Sequence, residues 1–309
     1  MVERDQIIIG TRGSLLALAQ SEWVAARIRE ACPSMRVELQ RIVTTGDRRA
    51  ADAIPDIGQK GIFTLELEQA LLAGTIDLAV HSAKDLPTEV PVELDLLLVP
   101  AREDPRDAFI SRDGQPLADL PPQAVVGTSS LRRQAQLRIL RPDLRFVALR
   151  GNVDTRIHKV QRGDCDAAIL AMAGLRRANL ETHATEVLAP HVMVPAPGQG
   201  ILAVQGRRDD VGLRTALAPL DDASARVALL CERRVIERLE GGCRTPIGVY
   251  VRLEDGRLCG DAIVAMPDGS RAARAEADAP AGDWRQLGDA LVDQLCARQA
   301  AEIIAASRQ

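Results

Sequence analysis

The residue placed best for covalent chemistry is Cys243, in the run Glu240-Gly241-Gly242-Cys243-Arg244-Thr245-Pro246-Ile247-Gly248. Upstream, Ala225 to Leu239 carries apolar residues at helical spacing, so Gly241 and Gly242 are expected to cap a helix. Glycine takes the left-handed capping conformation without a Cβ clash. Downstream, Ile247, Val249, Val251 and Leu253 alternate with Gly248, Tyr250 and Arg252, the period of a strand. A thiol on the corner between the two suits a covalent attachment point. It equally suits a small residue filling a turn, because buried unreactive cysteines are common.

A second constellation is electrostatic. Between Val126 and Arg177 stand eleven basic residues and four acidic ones, in a chain of formal net charge -4. Arg132 and Arg133 follow Val125-Val126, Arg150 follows Leu149, and Arg177 follows Leu170. All lie past expected strands, and in open α/β sheets ligands gather at the carboxyl ends of strands. Thr128, Ser129 and Ser130 precede a helix whose free N–H groups favour anions. Arginine forks hold carboxylates and phosphates in bidentate fashion, so several of them imply a ligand with several such groups. A solvated outward face is the alternative, expected for Arg138, Arg141, Arg145 and Arg162. Asp85, just past a strand and beside Lys84, could move protons or stabilise a developing cation; a plain turn aspartate is the other reading. His81 reads as structural, and His158, His183 and His191 lack metal-ligand spacing.

Positioning these groups requires rigid elements. Alternating strands and helices imply an α/β sheet with helices on both faces. The expected elements begin with a strand at Ile7-Ile8-Ile9, a helix from Leu15 to Ala31 capped by Ser14, and a strand from Val37 to Val43. A helix from Ile62 to Leu72 and strands at 77–80 and 96–99 follow. A second α/β set has strands at 124–126, 146–149 and 167–170 and a helix from Leu131 to Leu140. Proline-marked stretches at 100–106 and 194–200 read as crossovers between the sets, with a strand at 201–205 after the second. After a linker at 219–222 comes a small α+β module. It has strands near 246–253, 257–265 and 271–277, turns at Asp255-Gly256 and Asp268-Gly269, and a final helix through Trp284, Leu287, Leu291 and Leu295. Gly46 to Ala51 reads as an exposed lid.

Composition narrows the class. The 309 residues suit two or three domains. Six aromatic residues and an acidic balance argue against nucleic-acid binding. The six cysteines include no C-x-x-C pair, no apolar run reaches membrane-spanning length, and Met1 to Gln6 lacks a signal pattern. A cytoplasmic protein with reduced thiols is expected. Only three of the 39 basic residues are lysine: Lys60, Lys84 and Lys159.

In order along the chain stand Thr11-Arg12-x-Ser14 with Leu18 and Gln20, Lys60-Gly61-Ile62-Phe63, and His81-Ser82-Ala83-Lys84-Asp85-Leu86-Pro87. Next come Arg102-Glu103-Asp104-Pro105-Arg106-Asp107, Gly127-Thr128-Ser129-Ser130-Leu131-Arg132-Arg133 and Leu149-Arg150-Gly151-Asn152-Val153-x-Thr155-Arg156. Pro195-Ala196-Pro197-Gly198-Gln199-Gly200 and the Cys243 segment complete the series. Across nearly its whole length the chain thereby resembles the porphobilinogen deaminase (hydroxymethylbilane synthase) family. The resemblance implies two periplasmic-binding-protein-like α/β domains and a C-terminal α+β domain with a three-stranded antiparallel sheet. Domain 1 would comprise 1–100 and 200–219, domain 2 101–199, and domain 3 220–309.

It also implies a transferase of tetrapyrrole and haem biosynthesis that needs no metal and acts as a monomer. Such an enzyme condenses four porphobilinogen molecules head to tail into hydroxymethylbilane with release of ammonia. The primer would be a dipyrromethane cofactor joined by a thioether to Cys243. Each added ring brings an acetate and a propionate. By resemblance, Arg12, Arg132, Arg133, Arg150, Arg156 and Arg177 receive them, with Ser14, Gln20, Ser82, Lys84, Thr128, Ser129 and Ser130 assisting. Asp85 matches the family carboxylate that stabilises the pyrrole N–H groups and the cation left by amine loss. The thioether also suits the Cys243 corner: a helix C-terminus disfavours a thiolate, and a tether sulfur reacts only once.

Three departures from the family pattern stand out: Ala83 for methionine, Leu15 for proline and Leu65 for lysine. The first two read as packing changes, and no binding role is carried to Leu65. Two other classes remain at this stage. A non-catalytic module binding an anionic small molecule would account for the arginines but for neither Cys243 nor Asp85. A cysteine hydrolase would need a Cys/His pair that the sequence does not place together.

Overall fold

The computed structural model describes residues 5–45, 64–240 and 245–307. The chain falls into two units, Met1–Arg102 with Ile201–Arg226, and Glu103–Gly200 with Val227–Gln309. The expected Gly241-Gly242 cap, Cys243 itself, the Lys60 to Phe63 motif and the 46–61 lid lie outside the described residues.

The first unit is built on β1 (Gln6–Thr11), β2 (Arg36–Arg41), β3 (Leu78–Ser82), β4 (Leu94–Leu98) and β10 (Leu202–Arg207). Their order is β2-β1-β3-β10-β4. β1 runs parallel to β2 and β3, whereas β10 is antiparallel to both β3 and β4. The helix Leu15–Ala31 starts where Ser14 Oγ accepts from the Ala17 amide at 3.3 Å. It lays Val24, Ala25 and Ile28 against Ile7, Ile9, Leu78, Val80 and Val204. Each fully buried Val, Leu or Ile side chain is worth about 1.5–3 kcal/mol. The helix Leu65–Leu72 covers the other face with Leu67 and Leu71, packed with Ile76 and Leu94. Leu15 is not a packing substitution, since it is 51% exposed at the first helical position. Ala83 is buried, so a small residue there does belong to packing.

The second unit holds β5 (Asp107–Ser111), β6 (Val125–Gly127), β7 (Arg145–Val147), β8 (Ala167–Ala171) and β9 (Glu186–Leu188), in the order β7-β6-β8-β5-β9. β6 is parallel to β7 and β8; β5 is antiparallel to β8 and β9. In each five-stranded sheet the antiparallel strand between two neighbours, β10 or β5, is the one that follows a proline-marked stretch. Phe109, Val126, Leu137 and Ile169 form the core on one face, and Ile110, Leu149, Ile157, Leu170 and Leu175 form it on the other. β5, β9 and the helix Val153–Gln161 go beyond the elements expected from sequence. β5 begins at Asp107, directly after the proline-marked run whose polarity hides it.

The same unit contains the antiparallel sheet of β11 (Ile247–Glu254), β12 (Arg257–Ala265) and β13 (Ala272–Pro280). Asp255 and Gly256 both take positive φ in the tight turn between β11 and β12, as that hairpin requires. Helices Ala223–Arg238, Trp284–Ala297 and Ala300–Ser307 contribute to its core through Cys231, Val235, Leu287, Leu291 and Ile303. Ala135 and Val194 meet Ile263 and Ala265, joining this sheet to the helix Leu131–Leu140. Arg138 belongs to that junction: its Nη1 donates to the Pro267 carbonyl and its guanidinium lies 4.7 Å from the Phe146 ring centroid. The outward solvated face expected for Arg138 is therefore incorrect. Arg141 departs likewise, donating to the carbonyls of Leu117, Ala118 and Leu120 at 3.0, 3.1 and 3.0 Å. Arg145 and Arg162 are exposed as expected.

Candidate functional site

In the first unit, the parallel neighbours β1 and β3 deliver the chemistry-bearing residues just past their carboxyl ends. Arg12 follows β1 and is half-buried. Ser82 closes β3 and meets Gln20, whose Nε2 donates to Ser82 Oγ at 3.0 Å. Ser14, by contrast, has its hydroxyl engaged as the helix cap. Beyond Ser82 a single 3₁₀ turn, Ala83–Asp85, presents Lys84 half-buried and Asp85 exposed. Its backbone is pinned on both sides. The Ala83 amide donates to the Ile201 carbonyl at 3.0 Å, the Leu86 amide to the Ala83 carbonyl at 3.2 Å, and both side chains are buried. An exposed carboxylate on an anchored turn beside an ammonium is suited to stabilising charge without reorganisation.

Behind that turn lies a polar chain that sequence reading missed. His81 is buried, and its Nε2 lies 3.1 Å from Gln205 Oε1, while Gln205 Nε2 donates to Glu68 Oε1 at 3.1 Å. With the amide nitrogen turned to Glu68, Gln205 offers oxygen to the histidine, which assigns the Nε2–H tautomer. Burial lowers His81 to about 4, opposed by the Gln205 hydrogen bond and helped by the nearby Arg12 charge. It is a neutral group at physiological pH. Burial pushes the Glu68 carboxyl up, with the Gln205 bond opposing. The only sequence signal was that two polar residues, His81 and Gln205, stood in apolar strands.

In the second unit, the loop after β6 carries Thr128, Ser129 and Ser130, all with hydrogen-bonded hydroxyls. Thr128 Oγ1 accepts from the Ser130 amide at 3.2 Å, Ser129 Oγ donates to the Leu149 carbonyl at 3.2 Å, and Ser130 Oγ caps the Leu131–Leu140 helix through the Arg133 amide at 3.4 Å. Arg150 is exposed, and its carbonyl receives Lys159 Nζ at 3.1 Å. Arg156, half-buried on the helix Val153–Gln161, donates Nε to the Gly151 carbonyl at 2.8 Å. These two arginines leave the sheet on the same loop–helix connection.

Arg132 and Arg133 are placed differently. They are 5% and 6% exposed and converge on the fully buried Asp107. Arg132 Nη1 donates to Asp107 Oδ2 at 2.8 Å and to the Val194 carbonyl at 2.7 Å. Arg133 donates Nε and Nη2 to Asp107 Oδ1 at 3.0 and 2.6 Å, and Nη1 to the Ile169 carbonyl at 2.9 Å. Burial alone would raise the Asp107 carboxyl, but the two guanidiniums outweigh it and hold it far below the carboxylate range. Burial lowers Arg132 in spite of Asp107, and the like charge of Arg133 adds to the effect. Gln199 Nε2 also donates to Asp107 Oδ1, at 3.0 Å. Neither Asp107 nor Gln199 was singled out from sequence; Asp107 could have been found as the acid that closes the Arg102 to Asp107 charged run and opens a strand.

Arg177, at the end of the helix Met172–Arg177, donates Nη2 to the Gly200 carbonyl at 2.7 Å. Burial lowers its guanidinium to about 10, against the Glu103 charge, so it stays a cation at neutral pH. Gly200 has φ of +87°, and a Cβ there would collide with the Glu103 carbonyl, so the pairing of these two backbone segments needs glycine. Glu232, fully buried on the Ala223–Arg238 helix, accepts from the amides of Gly198 at 2.5 Å and Val251 at 2.8 Å. It ties the helix that leads to Cys243 to both the 194–200 segment and β11.

Residues 7–215 match the family model described as porphobilinogen deaminase, dipyromethane cofactor binding domain, and residues 227–297 match that for the porphobilinogen deaminase C-terminal domain. A porphobilinogen deaminase of Desulforudis audaxviator (strain MP104C) is 47% identical over 305 residues, covering 99% of each chain. That of Roseiflexus castenholzii (strain DSM 13941 / HLO8) is 47% identical over 292 residues, 94% of this chain and 96% of its relative. Among solved structures, the periplasmic aliphatic sulphonate binding protein SsuA from Escherichia coli aligns with a TM-score of 0.41 at 14% identity, over 77% of this chain and 71% of that one.

Proposed function

The chain belongs to the porphobilinogen deaminase family, and we propose how its own residues divide that family's reaction among them. The activity is the condensation of porphobilinogen into a linear tetrapyrrole with release of ammonia, carried out by a transferase primed with dipyrromethane. The reading of an anionic-ligand module without catalysis is set aside, since relatives of 47% identity over nearly the full chain are named as the deaminase.

The single observation that carries the residue assignment is that, in both sheets, cations stand on the connections and helices that follow the carboxyl ends of parallel strands. The donor set fits a ligand bearing many carboxylates. Arg150 is exposed, Arg12, Lys84, Arg156 and Arg177 are half-buried, and guanidinium forks match carboxylate geometry. In this reading Arg12, Lys84, Arg150, Arg156 and Arg177 take the acetate and propionate groups. Ser82 and Gln20 act as a preset hydrogen-bonding pair, and Thr128, Ser129 and Ser130 orient the loop at the helix N-terminus. Ser14 serves through the shape of its helix start. Arg132 and Arg133 contribute from behind, through the buried cluster with Asp107. When joined to Cys243 by a thioether, the dipyrromethane supplies the pyrrole carbon that accepts the first added unit. Asp85 would lie against the pyrrole N–H groups, offset the cation left as the C–N bond to the amine breaks, and take up the proton that the pyrrole carbon sheds once the new C–C bond forms.

The three-domain division is part of the proposal: 1–100 with 200–219, 101–199, and 220–309, each centred on one sheet. So are a cytoplasmic location and a monomeric state, which light scattering on the purified chain would check. The attachment claim is tested by intact-protein mass before and after Cys243→Ser. The wild type is expected to exceed its chain mass by one dipyrromethane and the variant to lack that excess. An active wild type of bare chain mass would overturn the assignment.

A further inference from the structure

Asp107 has no role so far, yet its carboxylate is fully buried in the second unit. It opens β5 opposite Ala171, the last residue of β8, and so sits at the carboxyl end of that strand. Around it stand two guanidiniums and the Gln199 amide, in four hydrogen bonds of 2.6–3.0 Å. Gln199 Nε2 also donates to the Pro105 carbonyl at 2.7 Å, and the Val194 carbonyl receives Gln136 as well as Arg132. Two cations on one buried anion leave the cluster one positive charge in excess. A buried charge without a counter-charge is strongly disfavoured, so that excess favours an anion at the cluster's border.

We propose that Asp107 is a positioning residue for the condensation: it fixes Arg132 and Arg133 in one orientation at the start of the Leu131–Leu140 helix and leaves one net positive charge there for a ligand carboxylate. The inference rests on the carboxylate-binding reading of the arginines. Asp107 touches no substrate itself; it acts through the two guanidiniums. Its carboxylate sets their direction: Oδ1 takes both Nε and Nη2 of Arg133 while Oδ2 takes Nη1 of Arg132, so each oxygen fixes one guanidinium. A glutamate would keep the charge and the acceptor oxygens and displace them by one methylene.

The test is steady-state kinetics and intact mass on purified holoenzyme for Asp107→Glu. Displacing a catalytic constellation by an ångström costs about 100-fold, so kcat/KM for porphobilinogen is expected to fall by about that factor while the thermal transition remains cooperative. Gln199→Met removes one donor to Asp107 at similar volume and keeps the test open should Asp107→Glu fail to fold. The variant loses both hydrogen bonds of Nε2, to Asp107 and to the Pro105 carbonyl, and kcat/KM is expected to fall about tenfold or more. A folded, cofactor-loaded Asp107→Glu or Gln199→Met with wild-type kcat/KM overturns the positioning role. Arg150→Ala separates the two readings. If it elongates normally, the carboxylate-binding reading itself fails; if it stalls while Gln199→Met is normal, only the role of Asp107 fails.

Discussion

Lowering the pH below 6.5 should destabilise the first unit through His81. His81 is buried on β3, with Gln205 of β10 on its Nε2, Glu68 of the Leu65–Leu72 helix beyond that amide, and the Arg12 charge nearby. Its folded value of about 4 lies below the ordinary 6.5. Between those two values the unfolded chain takes up a proton that the native protein refuses. The contribution is therefore whole above pH 6.5, declines as the pH falls, and levels off near 4. The full gap corresponds to about 3 kcal/mol, of which about 2 kcal/mol is lost between pH 7.5 and pH 5.

Glu68 acts with the opposite sign. Burial raises its carboxyl, so its contribution is present below the usual carboxylate value and is lost as the pH rises through the raised one. The variant His81→Asn retains a donor toward Gln205 and cannot titrate. Urea unfolding should be followed by fluorescence in a Trp284→Phe background, where Trp23, in the same unit as His81, is the only tryptophan. Measured at pH 7.5, 6.5 and 5, the wild type should lose about 2 kcal/mol more than the variant across that range. Parallel loss in the two proteins would show that His81 is not held neutral in the native state, and the assigned tautomer and hydrogen-bond chain would fall with it.

Two further outcomes follow from the geometry. Asp85→Asn should keep the dipyrromethane, by intact mass, and slow ammonia release by about 100-fold or more, because a positioned proton-transfer group is worth about that much; near-normal release would remove Asp85 from the chemistry. Glu232→Ala withdraws one buried carboxylate from the amides of Gly198 and Val251, which costs about 1–3 kcal/mol for each amide. Guanidinium unfolding read from Trp284, in the same unit as Glu232, should shift accordingly; an unchanged midpoint would mean that water replaces the side chain there.

Much of the scaffold was legible because its signals are local. Ser14 caps its helix at the expected position, and the helices Leu15–Ala31 and Leu131–Leu140 have the expected bounds. The Asp255-Gly256 hairpin follows from residues that tolerate positive φ. β5 escaped because a five-residue strand after a charged, proline-marked run has too little periodicity to stand out. The roles of individual arginines were not legible in the same way. Spacing placed Arg132 and Arg133 beside a ligand-binding loop and Arg138 on a solvated face. The structure gives the first two a buried carboxylate and the third a carbonyl on the turn after β12.

By itself, then, the sequence determined the two α/β sets and the α+β tail, the order of the motifs, and the chemical types needed for a ligand rich in carboxylates. Each of these depends on residue type and on neighbours a few positions away. Only the tertiary structure decided which cations have internal partners. Asp107 lies 25 and 26 residues from Arg132 and Arg133, and His81 lies 124 from Gln205. The fate of a buried charge depends on what folding places within about 3 Å of it, and strand pairing, not sequence separation, sets that distance.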